Sequence, residues 1–144
     1  MAANTTDFGI LGSVRDLVGV CSQHPGEHDL ATWMRLVAEV SDAMTVLAAA
    51  RDEAIVRLAA IDEVVDEDGV VAEKVNGLGT VSVDAAAAVS VATNTTARFA
   101  EELVEQAVTR VVRVPVLNEA MQSTVLDDYK ARCIAAELTD VPLD

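Results

Sequence analysis

LATWMRLVAEVSDAMTVLAAARDEAIVRLAAIDEVV, residues 30–65, is the stretch on which the fold turns. Leu30, Trp33, Val37, Val40, Met44 and Leu47 alternate steps of three and four. After Arg51 the pattern resumes at Ala54, Leu58, Ile61 and Val65. That spacing draws one apolar stripe along an α-helix. No Pro or Gly lies between Leu30 and Asp68, and Asp29 is placed to cap the start by accepting from free backbone N–H groups. One helix of ~36 residues would be about 54 Å long. A compact domain of this size does not need such a length. The helix therefore packs on the chain's own later helices, pairs with a partner helix, or breaks near Arg51 into a hairpin. Extra apolar residues at Leu36, Ala48 and Ile55 widen the stripe beyond a strict coiled-coil seam and favour intramolecular packing.

Upstream, Ile10, Leu11, Val14, Leu17 and Val18 have helical spacing, weakened by Gly12 and Gly19. Pro25-Gly26 marks a turn. Downstream, Asp66-Glu67-Asp68-Gly69 reads as the end of the long helix, with Gly69 as a left-handed cap. Residues 70–83 suit either a small hairpin around Asn76-Gly77-Leu78-Gly79 or a short helix with a glycine-rich connection. An alanine-rich helix follows over about Val83–Val89, then a polar break over Ser90–Asn94 and a helix over about Thr95–Val111. Pro115 suits the first turn of another short helix. Thr124 with Asp127 resembles a capping box opening the last helix, whose apolar side holds Leu126, Tyr129, Cys133, Ile134, Ala136 and Leu138. The expected architecture is all-α or nearly so: a long N-terminal helix against three or four shorter ones, with the hairpin option near 70–83. Residues 1–29 form an N-terminal segment with a short helix, and residues 30–144 the helical domain.

Composition narrows function. The chain has 144 residues, 24 acidic and ten basic side chains, and a formal net charge of −14. Bulk attraction to nucleic acid or to an anionic membrane is thereby excluded. A hydrophobic fraction of 51% excludes a disordered acidic tail. With four aromatic residues, against 24 Ala and 24 Val, the core must be built from small aliphatic side chains. No apolar run reaches the ~18 residues of a transmembrane helix. Two distant cysteines, Cys21 and Cys133, make no disulfide framework, so a cytoplasmic setting is expected.

Ala85 to Ala88, Ala97-Arg98-Phe99, Arg113-Val114-Pro115, Ala120-Met121 and Lys130-Ala131-Arg132-Cys133-Ile134-Ala135 together resemble the domain of unknown function 222. That domain forms the N-terminal part of actinobacterial 13E12 repeat proteins and usually precedes an HNH nuclease domain. The likeness spans residues 30–144 and departs from the family at Thr124 and Asp127, where Gly and Ser are common. The resemblance implies a helical module. The 144 residues hold no His-Asn-His constellation, so it also implies a stand-alone or truncated copy without nuclease chemistry.

Three functions are expected from these features. The first is a non-catalytic interaction module resembling the N-terminal domain of HNH proteins. The second is an oligomeric helical assembly protein using Val40, Met44, Leu47, Leu58 and Ile61 as its stripe. The third is a helix-turn-helix DNA binder. In that case Thr95, Thr96 and Arg98 would enter the major groove, and Arg110, Arg113, Lys130 and Arg132 would extend a basic patch to DNA or a partner. Glu101, Glu102 and Glu105 on the following turns oppose the third. Partners are thus a protein or a second copy through the helices, with nucleic acid disfavoured by charge and no membrane.

Cys21, His24 and His28, with Glu27 or Asp29, have a spacing that suits zinc, but a polar turn explains them better. The carboxylates Asp62, Glu63, Asp66, Glu67 and Asp68 lack the alternating pattern of a calcium loop. Gly77-x-Gly79 lacks the rest of a phosphate loop, and no Ser has a His at relay spacing. No catalytic residue, metal or cofactor is expected.

Overall fold

The computed structural model describes residues 9–23 and 25–142. Among these residues there are six α-helices and one hairpin: α1 (Ile10–Cys21), α2 (Leu30–Ala59), β1 (Ile61–Val65), β2 (Val71–Val75), α3 (Ala85–Thr93), α4 (Ala97–Val108), α5 (Pro115–Gln122) and α6 (Asp128–Leu138). The nearly all-α expectation, a long helix packed against shorter ones plus a small hairpin, is what the structure has. The chain forms two compact units, Met1–Ala38 and Glu39–Asp144, divided within α2.

In the first unit, α1 buries none of its residues. Asp29 caps α2 as expected, its Oδ1 accepting from the Thr32 N–H at 2.8 Å. The Trp33 ring meets His28 edge to face at 5.2 Å.

In the second unit, α2 ends six residues earlier than the apolar pattern predicts. The Ala59 and Ala60 carbonyls, which helix continuation would need, instead accept from the Ser82 and Asn76 N–H groups at 2.8 Å each. Ile61, Val64 and Val65 are β-branched and favour the extended chain. They pair antiparallel with β2 in the register Ile61↔Val75, Glu63↔Glu73, Val65↔Val71. The hairpin therefore lies at 61–75, not across Asn76–Gly79. Asp66 makes its turn: Oδ1 accepts from Asp68 N–H at 3.0 Å and Val70 N–H at 2.8 Å, while Gly69 takes φ +78°. The acidic run read as a helix end is a hairpin tip.

The core is built from small residues, as the composition requires. Ile55, Val56 and Ala59 of α2 meet Ala85 and Val89 of α3 and Ala100, Leu103, Val104 and Ala107 of α4. Ala49, Met121 and Ala131 form a second cluster. On α2 the buried line runs Thr45, Ala49, Asp52, Val56, Ala59, one position round from the expected stripe. Met44 and Leu47 consequently face outward, 65% and 43% exposed.

Between α4 and α5 the chain widens into a π-helical turn, Thr109–Arg113, closed by Val114 N–H donating to the Thr109 carbonyl at 2.8 Å. Pro115 then opens α5 at its first turn, as its fixed φ and missing N–H suit. Asp127, not Thr124, caps α6, accepting from Lys130 N–H at 2.8 Å. Thr124 sits instead in the left-handed region beyond α5. Only Ala131 and Ala135 of α6 are buried, so the expected apolar side with Tyr129, Cys133 and Ile134 faces outward.

Candidate interaction surfaces

At the centre of the second unit lies a buried ion-pair hub. The π turn widens the helix where Arg110 must point inward, leaving its side chain 1% exposed. The Arg110 Nη2 donates to Asp52 Oδ1 of α2 at 3.0 Å, and Nε lies 2.9 Å from Oδ2. The third nitrogen, Nη1, donates to Asp128 Oδ1 of α6 at 2.9 Å. Burial pushes the Asp52 carboxyl up to about 6, against the opposing pull of Arg110 and Arg51. Beside the hub, buried Asn118 donates from Nδ2 to the Ala49 carbonyl at 3.1 Å. Asp52 is wholly enclosed, so the hub joins α2, the π turn and α6 rather than meeting a ligand.

Arg110 therefore does not belong to any surface basic patch, contrary to expectation. The other six candidate contacts are placed as follows. Thr96 caps α4, accepting from Phe99 N–H at 3.3 Å. The Thr95 hydroxyl pairs with Thr93 at 2.8 Å across the α3–α4 turn. The Arg98 side chain is exposed and lies 3.5 Å from Glu102. Arg113 donates to the Thr139 and Val141 carbonyls at 2.8 and 3.0 Å, holding the end of α6. Lys130 pairs with Asp127 at 2.9 Å, and Arg132 lies over the Tyr129 ring. Neighbouring carboxylates, carbonyls or a ring occupy every one of the exposed cations among them.

Surface character lies elsewhere, and two open clefts carry most of the predicted stripe. The first, of about 540 Å³, runs between α2 and the start of α6. Met44, Leu47 and Ala48 line it with Tyr129, itself 67% exposed. Arg51, also on its wall, has no ion pair among the described residues. The second cleft, of about 650 Å³, lies between the hairpin and α3, with Leu58 and Ile61 on its floor. The predicted assembly stripe is thus divided. Met44 and Leu47 open on the first cleft, Leu58 and Ile61 on the second, and Val40 is half-buried on α2. Ile61 stands on β1 rather than on the helix.

The zinc arrangement needs His24, which lies outside the described residues. His28 Nε2 is 3.0 Å from Gln23 Oε1. Among the described residues, no group of three His, Cys, Asp or Glu side chains is placed to hold a metal. No helix among them is long and apolar enough to cross a membrane. Comparison with protein-family models, with curated proteins and with solved structures finds no match to this chain.

Proposed function

We propose that the chain is a non-catalytic helical interaction module that docks helices through the α2–α6 cleft, first of all those of its own copies. The observation that carries this reading is the exposure of Met44 and Leu47 on a helix whose neighbouring side is the core. Exposed large apolar side chains grouped along one cleft are the mark of an interaction site. Arg51 places a cation on this wall beside Asp127 and Asp128, whose own charges are already met by Lys130 and Arg110. The resemblance to the N-terminal domain of HNH-type proteins supports the same class of function, with no nuclease step in these residues. A reducing, cytoplasmic setting suits Cys21 and Cys133, both free and exposed.

The test is solution mass by light scattering, with and without duplex DNA in one series at low salt. The reading predicts an assembly heavier than one chain, reduced by Met44→Glu, and no DNA complex. Met44 is exposed, so the substitution leaves the fold intact. A DNA complex that Arg98→Ala abolishes would replace this reading with the helix-turn-helix one.

A further inference from the structure

The hairpin–α3 cleft combines an apolar floor with an unneutralised acidic rim. Leu58 and Ile61 line the cleft together with Ala88 and Val91 of α3, and Val91, 85% exposed, stands at its open side. Small alanines on α3 let a second backbone approach closely. On the rim stand Glu63, Glu73 and Asp84. Among the described residues, none of the three is in an ion pair or accepts a side-chain hydrogen bond. Glu63 and Glu73 are direct cross-strand partners on the face that lines the cleft. Like charges so placed destabilise a hairpin. On the other face the neighbouring pair is complementary, Asp62 with Lys74. The repulsive pair is therefore confined to the cleft side. A local rule broken on one face and kept on the other marks a surface shaped for something besides stability. The surroundings reinforce the field: residues 61–75 carry six acidic side chains against Lys74 alone.

We propose that this cleft binds a cationic amphipathic peptide segment of another protein. Its apolar residues would cover Val91, Ala88, Leu58 and Ile61, while its Lys or Arg side chains meet Glu63, Glu73 and Asp84. A second copy of this chain is a poor occupant here, because it brings a net charge of −14 to an acidic rim. The inference extends the interaction-module reading to a second surface, and the two are tested by different substitutions.

The experiment is fluorescence anisotropy of a labelled Lys/Leu/Ala peptide helix of about 15 residues, titrated with the full chain at physiological salt. Oligolysine of equal charge is the comparison probe. Saturable binding is expected, and Glu63→Gln with Glu73→Gln should weaken it about tenfold. Those two changes relieve repulsion and so leave the hairpin folded. Val91→Glu, which replaces an exposed apolar lining residue with a carboxylate, should also weaken it. Met44→Glu should leave peptide affinity unchanged, which separates this surface from the α2–α6 cleft. The proposal is overturned if the peptide does not bind, if the double variant binds as tightly as the native chain, or if oligolysine binds as well as the amphipathic peptide.

Discussion

The Arg110 guanidinium joins Asp52 of α2 to Asp128 of α6, donating to a carboxylate oxygen of each at 3.0 and 2.9 Å. Three elements distant in sequence meet at one cation that solvent does not reach. Removing that cation leaves the enclosed Asp52 carboxylate alone. Arg110→Ala should therefore destabilise the chain by about 3–5 kcal/mol, read by urea denaturation. The double change Arg110→Met with Asp52→Leu should recover most of the loss, since it removes both buried charges together. If the single variant unfolds at the same denaturant concentration as the native chain, the hub does not hold these elements.

Stability should depend on pH through the same pair. The folded Asp52 carboxyl lies near 6, above its ordinary value of 3.8, because burial disfavours its charged form. The folded state thus holds the proton more tightly than the unfolded one. The stabilisation from this proton is complete below the ordinary value and is lost as pH rises through about 6. Asp127 acts in the opposite sense. The Lys130 N–H holds its carboxyl below the usual range, so that contribution fades as acid protonates it. Comparing the native chain with Asp52→Asn across pH 4–7 isolates the first effect. The native chain should lose stability relative to the variant as pH rises, and a flat difference would contradict the assignment.

Two glycines hold positive φ at places that matter. Gly69, at +78°, sits in the hairpin tip, and Gly79, at +94°, passes over the π turn. A Cβ on Gly69 meets nothing within 4 Å, whereas one on Gly79 would lie 3.0 Å from Val112 Cγ1. Gly69→Ala should cost about 1 kcal/mol from backbone strain alone. Gly79→Ala should cost more, because contact adds to strain. Thermal denaturation of both variants gives the order, and a reversed order would refute the close approach to Val112.

The Glu63–Glu73 pair yields a substitution that should stabilise. Glu73→Lys turns a directly opposed like pair into an attractive one, for a gain of about 0.2–1 kcal/mol in thermal unfolding. The same change should abolish binding of the cationic peptide, so stability and binding move in opposite directions.

The sequence carried the class of the fold and several ends of elements, and the reasons are local. The Asp29 cap and Pro115 in the first turn of α5 depend on a few neighbouring atoms, and so does the left-handed conformation of Gly69, though it turns a hairpin rather than ending a helix. The buried side of α2 does not. Leu30 to Leu47 give a strong apolar signal, yet the core takes Thr45, Ala49 and Asp52, where small size and an ion pair matter more than hydrophobicity. Asp52 is buried only because Arg110, 58 residues away, meets it, and no periodicity contains that fact. Arg110 itself looked like a surface cation because the π turn that rotates it inward has no local signature beyond the β-branched run before Pro115. The hairpin moved for a similar reason: Ser82 and Asn76 stop α2 from afar by taking its last carbonyls. Of the interaction surfaces, Met44, Leu47, Leu58 and Ile61 were legible as apolar, while their division between two clefts follows from the strand that begins at Ile61.

Light scattering of the native chain beside Met44→Glu, over a range of concentrations, tests the interaction-module reading most directly. The account predicts a native mass above the 15.2 kDa of one chain, rising with concentration, and a variant that stays at 15.2 kDa. A native chain that remains at 15.2 kDa throughout, indistinguishable from the variant, would contradict it.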